Sequence, residues 1–167
     1  MDNINWIFFG VFISEQSKKS NMDALHRAGV TIPEGWKIYN HHMTIAFNNR
    51  TEKAQSLFNY YQEDFGKTVG LTINGIGVSD DAIAVRVEYE HPSANEITHI
   101  TIATPPDGKP VNSNNITDWI DIPRYTVVGT MTYFGKQMPK SNWNTIGILS
   151  KTYERTNLLI YGTEIFR

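Results

Sequence analysis

The chain has 167 residues and 19.0 kDa, the length of a single domain. Its formal net charge of −2, with five His left uncounted, excludes the clustered Lys/Arg surplus that a duplex nucleic-acid binder needs. The absence of Cys excludes a disulfide framework, a thiolate nucleophile and Cys-ligated metal sites, and 40% apolar with 12% aromatic residues excludes an acidic disordered chain.

In chain order, the aromatic and β-branched run Trp6–Ser14 predicts a central strand. Its apolar part, WIFFGVFI, is too short to cross a bilayer and has no basic residues before it, so a cytoplasmic location is the expectation. Ser17–Gly29 carries Met22, Leu25 and Ala28 at helical spacing, with Gly29 placed to end the helix. After the turn Pro33-Glu34-Gly35, Trp36–Phe47 predicts one extended segment. Thr51–Phe65 predicts a helix capped by Thr51, with Ala54, Leu57, Phe58, Tyr61 and Phe65 on one face.

The second half reads as β-rich. Thr68–Val78 and Ala82–Glu90 alternate around the turn Ser79-Asp80-Asp81, which predicts a hairpin. Ile97–Thr104 (ITHITIAT) predicts a further strand, Pro105–Asn115 a polar loop and Arg124–Gly135 a long strand. Asn157–Phe166 predicts a last strand, and Pro139–Tyr153 has no clear period. The sum is one α+β domain over 1–167, with about seven strands and two helices.

Two stretches share a pattern: His42-Met43-Thr44-Ile45-Ala46 and His99-Ile100-Thr101-Ile102-Ala103. Period-two geometry puts each His and the Thr two places later on one strand face, while Met43 and Ile100 point the other way. If the two strands lie together, two imidazoles and two hydroxyls converge. Opening a phosphodiester needs a base for the attacking oxygen and an acid for the leaving one. Two imidazoles with ordinary pKa near 6.5 can hold opposite protonation states near neutral pH. Thr hydroxyls beside them can donate to the phosphoryl oxygens, where negative charge builds. Such a site needs no metal and no cofactor. A zinc site is the competing chemistry, but adjacent His41 and His42 diverge on a strand and no His-Glu-x-x-His helix is present. His41 is accordingly expected on the face opposite His42.

Paired His–apolar–Thr motifs on the strands of a Cys-free α+β domain resemble the 2H phosphoesterase superfamily. The loop KPVNSNN after the second motif is similar to one in the tRNA-ligase-type cyclic phosphodiesterase branch. The resemblance implies two pseudo-symmetric β-rich lobes with helices outside and a central cleft. It implies His42 and His99 as the acid–base pair, Thr44 and Thr101 on the phosphate, and Ser113 and Asn114 as substrate contacts. It also implies a nucleotide substrate: a 2′,3′-cyclic phosphate RNA end, a cyclic ADP-ribose phosphate, a 2′–5′ linkage or a cyclic oligonucleotide immune signal. Trp36, Tyr39, Tyr133 and Phe134 are the aromatic candidates for stacking a base, and Lys109, Lys136 and Lys140 lie in loops that could edge the cleft. A monomer acting on a nucleotide or RNA end, without duplex DNA or membrane partners, is the expectation. A module that binds a nucleotide without cleaving it is the alternative class.

Overall fold

A computed structural model describes residues 5–135. The strand expected at Asn157–Phe166, the segment Pro139–Tyr153, Lys136 and Lys140 lie outside them.

The described chain is α+β, with seven strands and two α-helices. These are β1 (Trp6–Ile13), α1 (Glu15–Arg27), β2 (Lys37–Ile38), β3 (His42–Phe47), α2 (Glu52–Tyr61), β4 (Thr68–Ser79), β5 (Ala82–Glu88), β6 (His99–Thr104) and β7 (Trp119–Gly135). Every pairing is antiparallel, in the order β2-β6-β3-β1-β7-β4-β5. An added pairing of β5 with β6 closes the sheet on itself, barrel-like, so six strands form the ring and β2 extends one of its edges.

Alternation decides what lies inside. Phe9, Val11, Met43, Ile45, Leu71, Ile73, Ile83, Val85, Ile100 and Ile102 join one buried cluster. Ala54, Leu57, Phe58 and Tyr61 of α2 pack onto it, as the helical spacing predicts. Thr51 caps α2 by accepting from the Ala54 N–H at 3.2 Å. The expected continuation to Phe65 is a 3₁₀ turn, Gln62–Asp64. Helix α1 starts earlier than expected, because Ser14 is its cap, accepting from the Ser17 N–H at 3.2 Å. The Ser17 hydroxyl turns instead to β7, donating to the Val128 carbonyl at 3.1 Å and accepting from the Val128 N–H at 2.8 Å. This ties the helix to the barrel. No helix among the described residues is long and apolar enough to cross a membrane.

Two irregularities shape the outer face. Between Phe9 and Gly10 the β1–β3 register shifts, and the backbones approach so closely that a Cβ on Gly10 would lie 2.0 Å from the Met43 carbonyl oxygen. Only glycine fits there. The second lies between β2 and β3, which replace the single extended run expected at Trp36–Phe47. The chain stays bonded to β6 through Tyr39 N–H to the Ile102 carbonyl and Asn40 N–H to the Thr101 carbonyl. Its register nonetheless slips from Ile38↔Ala103 to Met43↔Ile100, leaving two extra residues on this side. Asn40 takes up the excess with φ of 55°, a left-handed conformation that Asn tolerates.

Candidate active site

Met43 and Ile100 face each other across β3 and β6. In an antiparallel pair this register puts His42 across from Thr101 and Thr44 across from His99. Since Met43 and Ile100 point into the core, all four residues stand on the outer face. They line one cleft of about 300 Å3 with Phe8, Tyr39, His41, Phe47, Asn95, Lys109, Pro110, Val111 and Asn114. The two motifs thus meet as their spacing suggests.

The imidazoles have different surroundings. His42 lies against Phe8, with ring centroids 4.9 Å apart, and against Phe12 at 5.1 Å. Burial pushes its pKa down to about 3, helped by the like charges that His41, His99 and Lys18 would present to an imidazolium. His99 is also held below its ordinary value by burial, against the opposing pull of a hydrogen bond to the Ile97 carbonyl. That bond, at 2.8 Å from Nδ1, fixes the tautomer. A carbonyl only accepts, so Nδ1 carries the hydrogen and Nε2 is left for proton exchange.

The hydroxyls are placed by loops. Thr101 Oγ1 lies 2.9 Å from the buried Ser113 Oγ and donates to the Pro110 carbonyl at 3.2 Å. The expected polar loop is in fact a 3₁₀ turn over Pro110–Asn115 that brings Ser113 under Thr101. On the other strand, the Asn95 side chain donates to the Thr44 carbonyl at 3.1 Å, folding the segment after Pro92 over β3.

His41 corrects one expectation. It lines the cleft beside His42 rather than facing away, because it precedes the regular strand and follows left-handed Asn40. Asn40 is fixed by α1: its amide donates to the Lys18 carbonyl at 2.9 Å, and its Oδ1 accepts from Asn21 at 2.9 Å. Tyr125 in turn donates to Asn21 at 2.6 Å. Burial, then Lys18, lower the His41 pKa to about 4, partly offset by Glu15.

Of the aromatic candidates, Tyr39 lines the cleft. Phe134 is buried on the same face beside Phe8, at 5.6 Å, without lining the cleft. Tyr133 belongs to the core, 5.3 Å from Phe65 and 6.0 Å from Phe58, because it alternates inward on β7. Trp36 packs against that core as well. Ser113 acts on Thr101, and Asn114 and Lys109 line the cleft. Phe8, Phe47, Asn95 and Val111 line the cleft as well, although no sequence motif marks them. Phe47 and Val111 are half exposed, at 54% and 52%, the one signal of an apolar wall left open to a ligand.

Among the described lining residues Lys109 is the sole cation besides any charged imidazole, and none is a carboxylate. Imidazoles, hydroxyls and one ammonium suit an anion, and the Phe8–Phe47 wall suits a flat ring. Among the described residues no group of three or more His, Asp or Glu is arranged to hold a metal ion. No protein-family model matches the chain, and no curated protein matches it either, so the reading of this cleft stands on its residues and their geometry.

Proposed function

We infer that this protein is a phosphodiesterase that hydrolyses a cyclic or 2′-linked nucleotide phosphodiester by acid–base catalysis at His42 and His99, without a metal ion. The observation that carries the reading is the Met43–Ile100 register, which gathers two imidazoles and two hydroxyls on the outer face that lines the cleft. One neutral imidazole takes a proton from water as its oxygen attacks phosphorus. The other, protonated, gives its proton to the leaving oxygen as the P–O bond breaks, so one water is split across the bond. Thr44 donates to a non-bridging oxygen, as does Thr101 once its hydroxyl hydrogen turns from the Pro110 carbonyl to the substrate, and Lys109 offsets the phosphate charge.

This is the chemistry of the 2H phosphoesterases that the motifs resemble. The antiparallel meeting of β3 and β6 is compatible with their two pseudo-symmetric lobes, since it relates the motifs by a local twofold axis. The substrate class is a 2′,3′-cyclic phosphate RNA end or a small cyclic nucleotide, an immune signal among them, handled by a monomer in the cytoplasm.

The test is incubation, in EDTA, with nucleoside 2′,3′-cyclic monophosphates, 2′–5′ oligonucleotides and 3′–5′ cyclic oligonucleotides, followed by mass spectrometry. Gain of one water by at least one class, lost in both His42→Ala and His99→Ala, is the expected result. Recovery of every ligand unchanged across pH 4–8 would leave a nucleotide-binding module in place of an enzyme.

A further inference from the structure

Beside the cleft lies a second concavity of about 260 Å3, whose lining includes Asn95, Glu96, Ile97, Asn114, Ile116 and Trp119. Asn95 and Asn114 also line the first cleft, so the two spaces meet along these side chains. The β5–β6 register pairs Arg86 with His99 and Ala84 with Thr101, so β5 flanks the imidazole–hydroxyl group on this side. Trp119 packs with Ala82, Ala84 and Ile116, and the Arg86 guanidinium lies 5.8 Å from the centre of its ring. The reacting centre is therefore bordered by aromatic side chains on both sides: Phe8 and Phe47 on one, Trp119 on the other.

The two spaces differ in charge. Lys109 lines the first, whereas Glu96 is the only charged group among the described residues of the second. A phosphate is favoured in the first and repelled in the second. A nucleobase suits the second: its flat ring can lie on Ile97 and the indole, and its N–H edge can donate to Glu96 or the asparagines. We propose that this second concavity is a nucleoside subsite, so that the phosphodiester cleaved beside His42 and His99 carries a nucleoside on each side. The proposal rests on the phosphodiesterase reading and narrows its substrates to those with two nucleosides joined through the reacting phosphate.

Ile97 offers the probe. Its side chain is 41% exposed, while its backbone carbonyl, which any substitution retains, holds His99. Ile97→Trp fills the subsite. Turnover is measured on a nucleoside 2′,3′-cyclic monophosphate, with one base, and on two-nucleoside phosphodiesters in linear 2′–5′ and cyclic 3′–5′ forms. For at least one two-nucleoside form, kcat/KM falls about tenfold or more, mainly through KM, as expected for a lost base contact. Because the Ile97 carbonyl also holds His99, the readout is the ratio between substrates: the one-base substrate loses at least about fivefold less than the two-nucleoside form. Ile97→Ala, which adds no bulk, moves the same ratio in the same direction. Equal loss on both kinds of substrate, or loss on neither, overturns the subsite while leaving the phosphodiesterase reading intact. If the wild-type protein turns over none of these compounds, that reading fails and calorimetry still decides the subsite. A two-nucleoside ligand must then bind at least about tenfold more tightly than the one-base ligand, a margin that Ile97→Trp abolishes; equal affinities overturn it.

Discussion

The His42 and His99 motifs share four of five residues, and their strands are direct neighbours, yet their imidazoles sit in unlike places. His42 rests on the phenyl rings of Phe8 and Phe12, and its pKa is pushed down to about 3. His99 is anchored through Nδ1 to the Ile97 carbonyl, a bond that partly counters the effect of burial. The bond to the Ile97 carbonyl supports a proton on His99, whereas burial and the neighbouring positive charges act against one on His42. The repeat supplies two similar groups in unlike surroundings, a difference that the proposed acid–base chemistry would use.

The largest effect expected is loss of either imidazole. His42→Ala and His99→Ala each lower kcat by about 10²–10⁴-fold, the usual worth of a positioned acid or base. Full turnover by either variant breaks the division of labour.

The pH profile sharpens it. Both pKa values lie below 6.5, and the proposed mechanism requires one proton on the pair in the free enzyme. The kcat/KM profile is therefore a bell with both limbs on the acid side of pH 6.5. Phe8→Leu weakens the ring contact with His42 and moves the acid limb upward, leaving the other limb in place. A maximum above pH 7 contradicts the assignment.

A smaller effect falls on the bulge that separates His41 and His42 from β2. Asn40→Ala removes two hydrogen bonds, one of them fully buried, and puts alanine at positive φ, costing about 2–4 kcal/mol in urea unfolding. Asn40→Gly keeps the backbone angle and loses only the bonds, so it costs less. A reversed order contradicts a role for the left-handed conformation.

Acid stability offers a further test. His41 and His42 stay neutral in the fold to about pH 4 and 3, whereas the unfolded chain binds those protons below about pH 6.5. Protons then favour the unfolded state, and stability falls as pH drops from 6.5 towards 4. The slope is about 1.4 kcal/mol per pH unit for each imidazole. His41→Gln makes the thermal decline shallower over that window, while an unchanged slope means that His41 titrates alike in both states.

The four motif residues were legible because alternation fixes which face a strand residue takes, and both motifs obey it. Neighbouring His41 was not, because its orientation depends on the register slip at Asn40. The Lys18 carbonyl and Asn21, which fix that slip, belong to a different helix. The aromatic wall failed for a related reason. Tyr133 and Phe134 read alike in sequence but alternate, one into the core and one onto the outer face. β1 alternates without a break across Gly10, Phe8 and Phe12 outward and Phe9 and Val11 inward; the shift falls on β3, where Ile45 and Ala46 are both buried inside and Phe47 comes to lie beside Phe8. The start of β7 at Trp119 was missed because Pro123 reads as a strand breaker. The pairing with β4 has its own irregularity between Ile73 and Gly75, which accommodates that proline.

Between β3 and β6 the ladder is registered only at Met43–Ile100, whereas β4 and β7 pair along most of their length. This short seam joins segments far apart in the chain, so its loop-closure entropy must be met before its contacts repay it. It is also where the two imidazoles lie diagonally across the pair of strands. A chain that has formed its helices and long hairpin but not this seam holds every side chain of the proposed site and has no site. Recovery of the proposed activity during refolding would therefore report ring closure itself, separately from the burial of tryptophan or the gain of secondary structure.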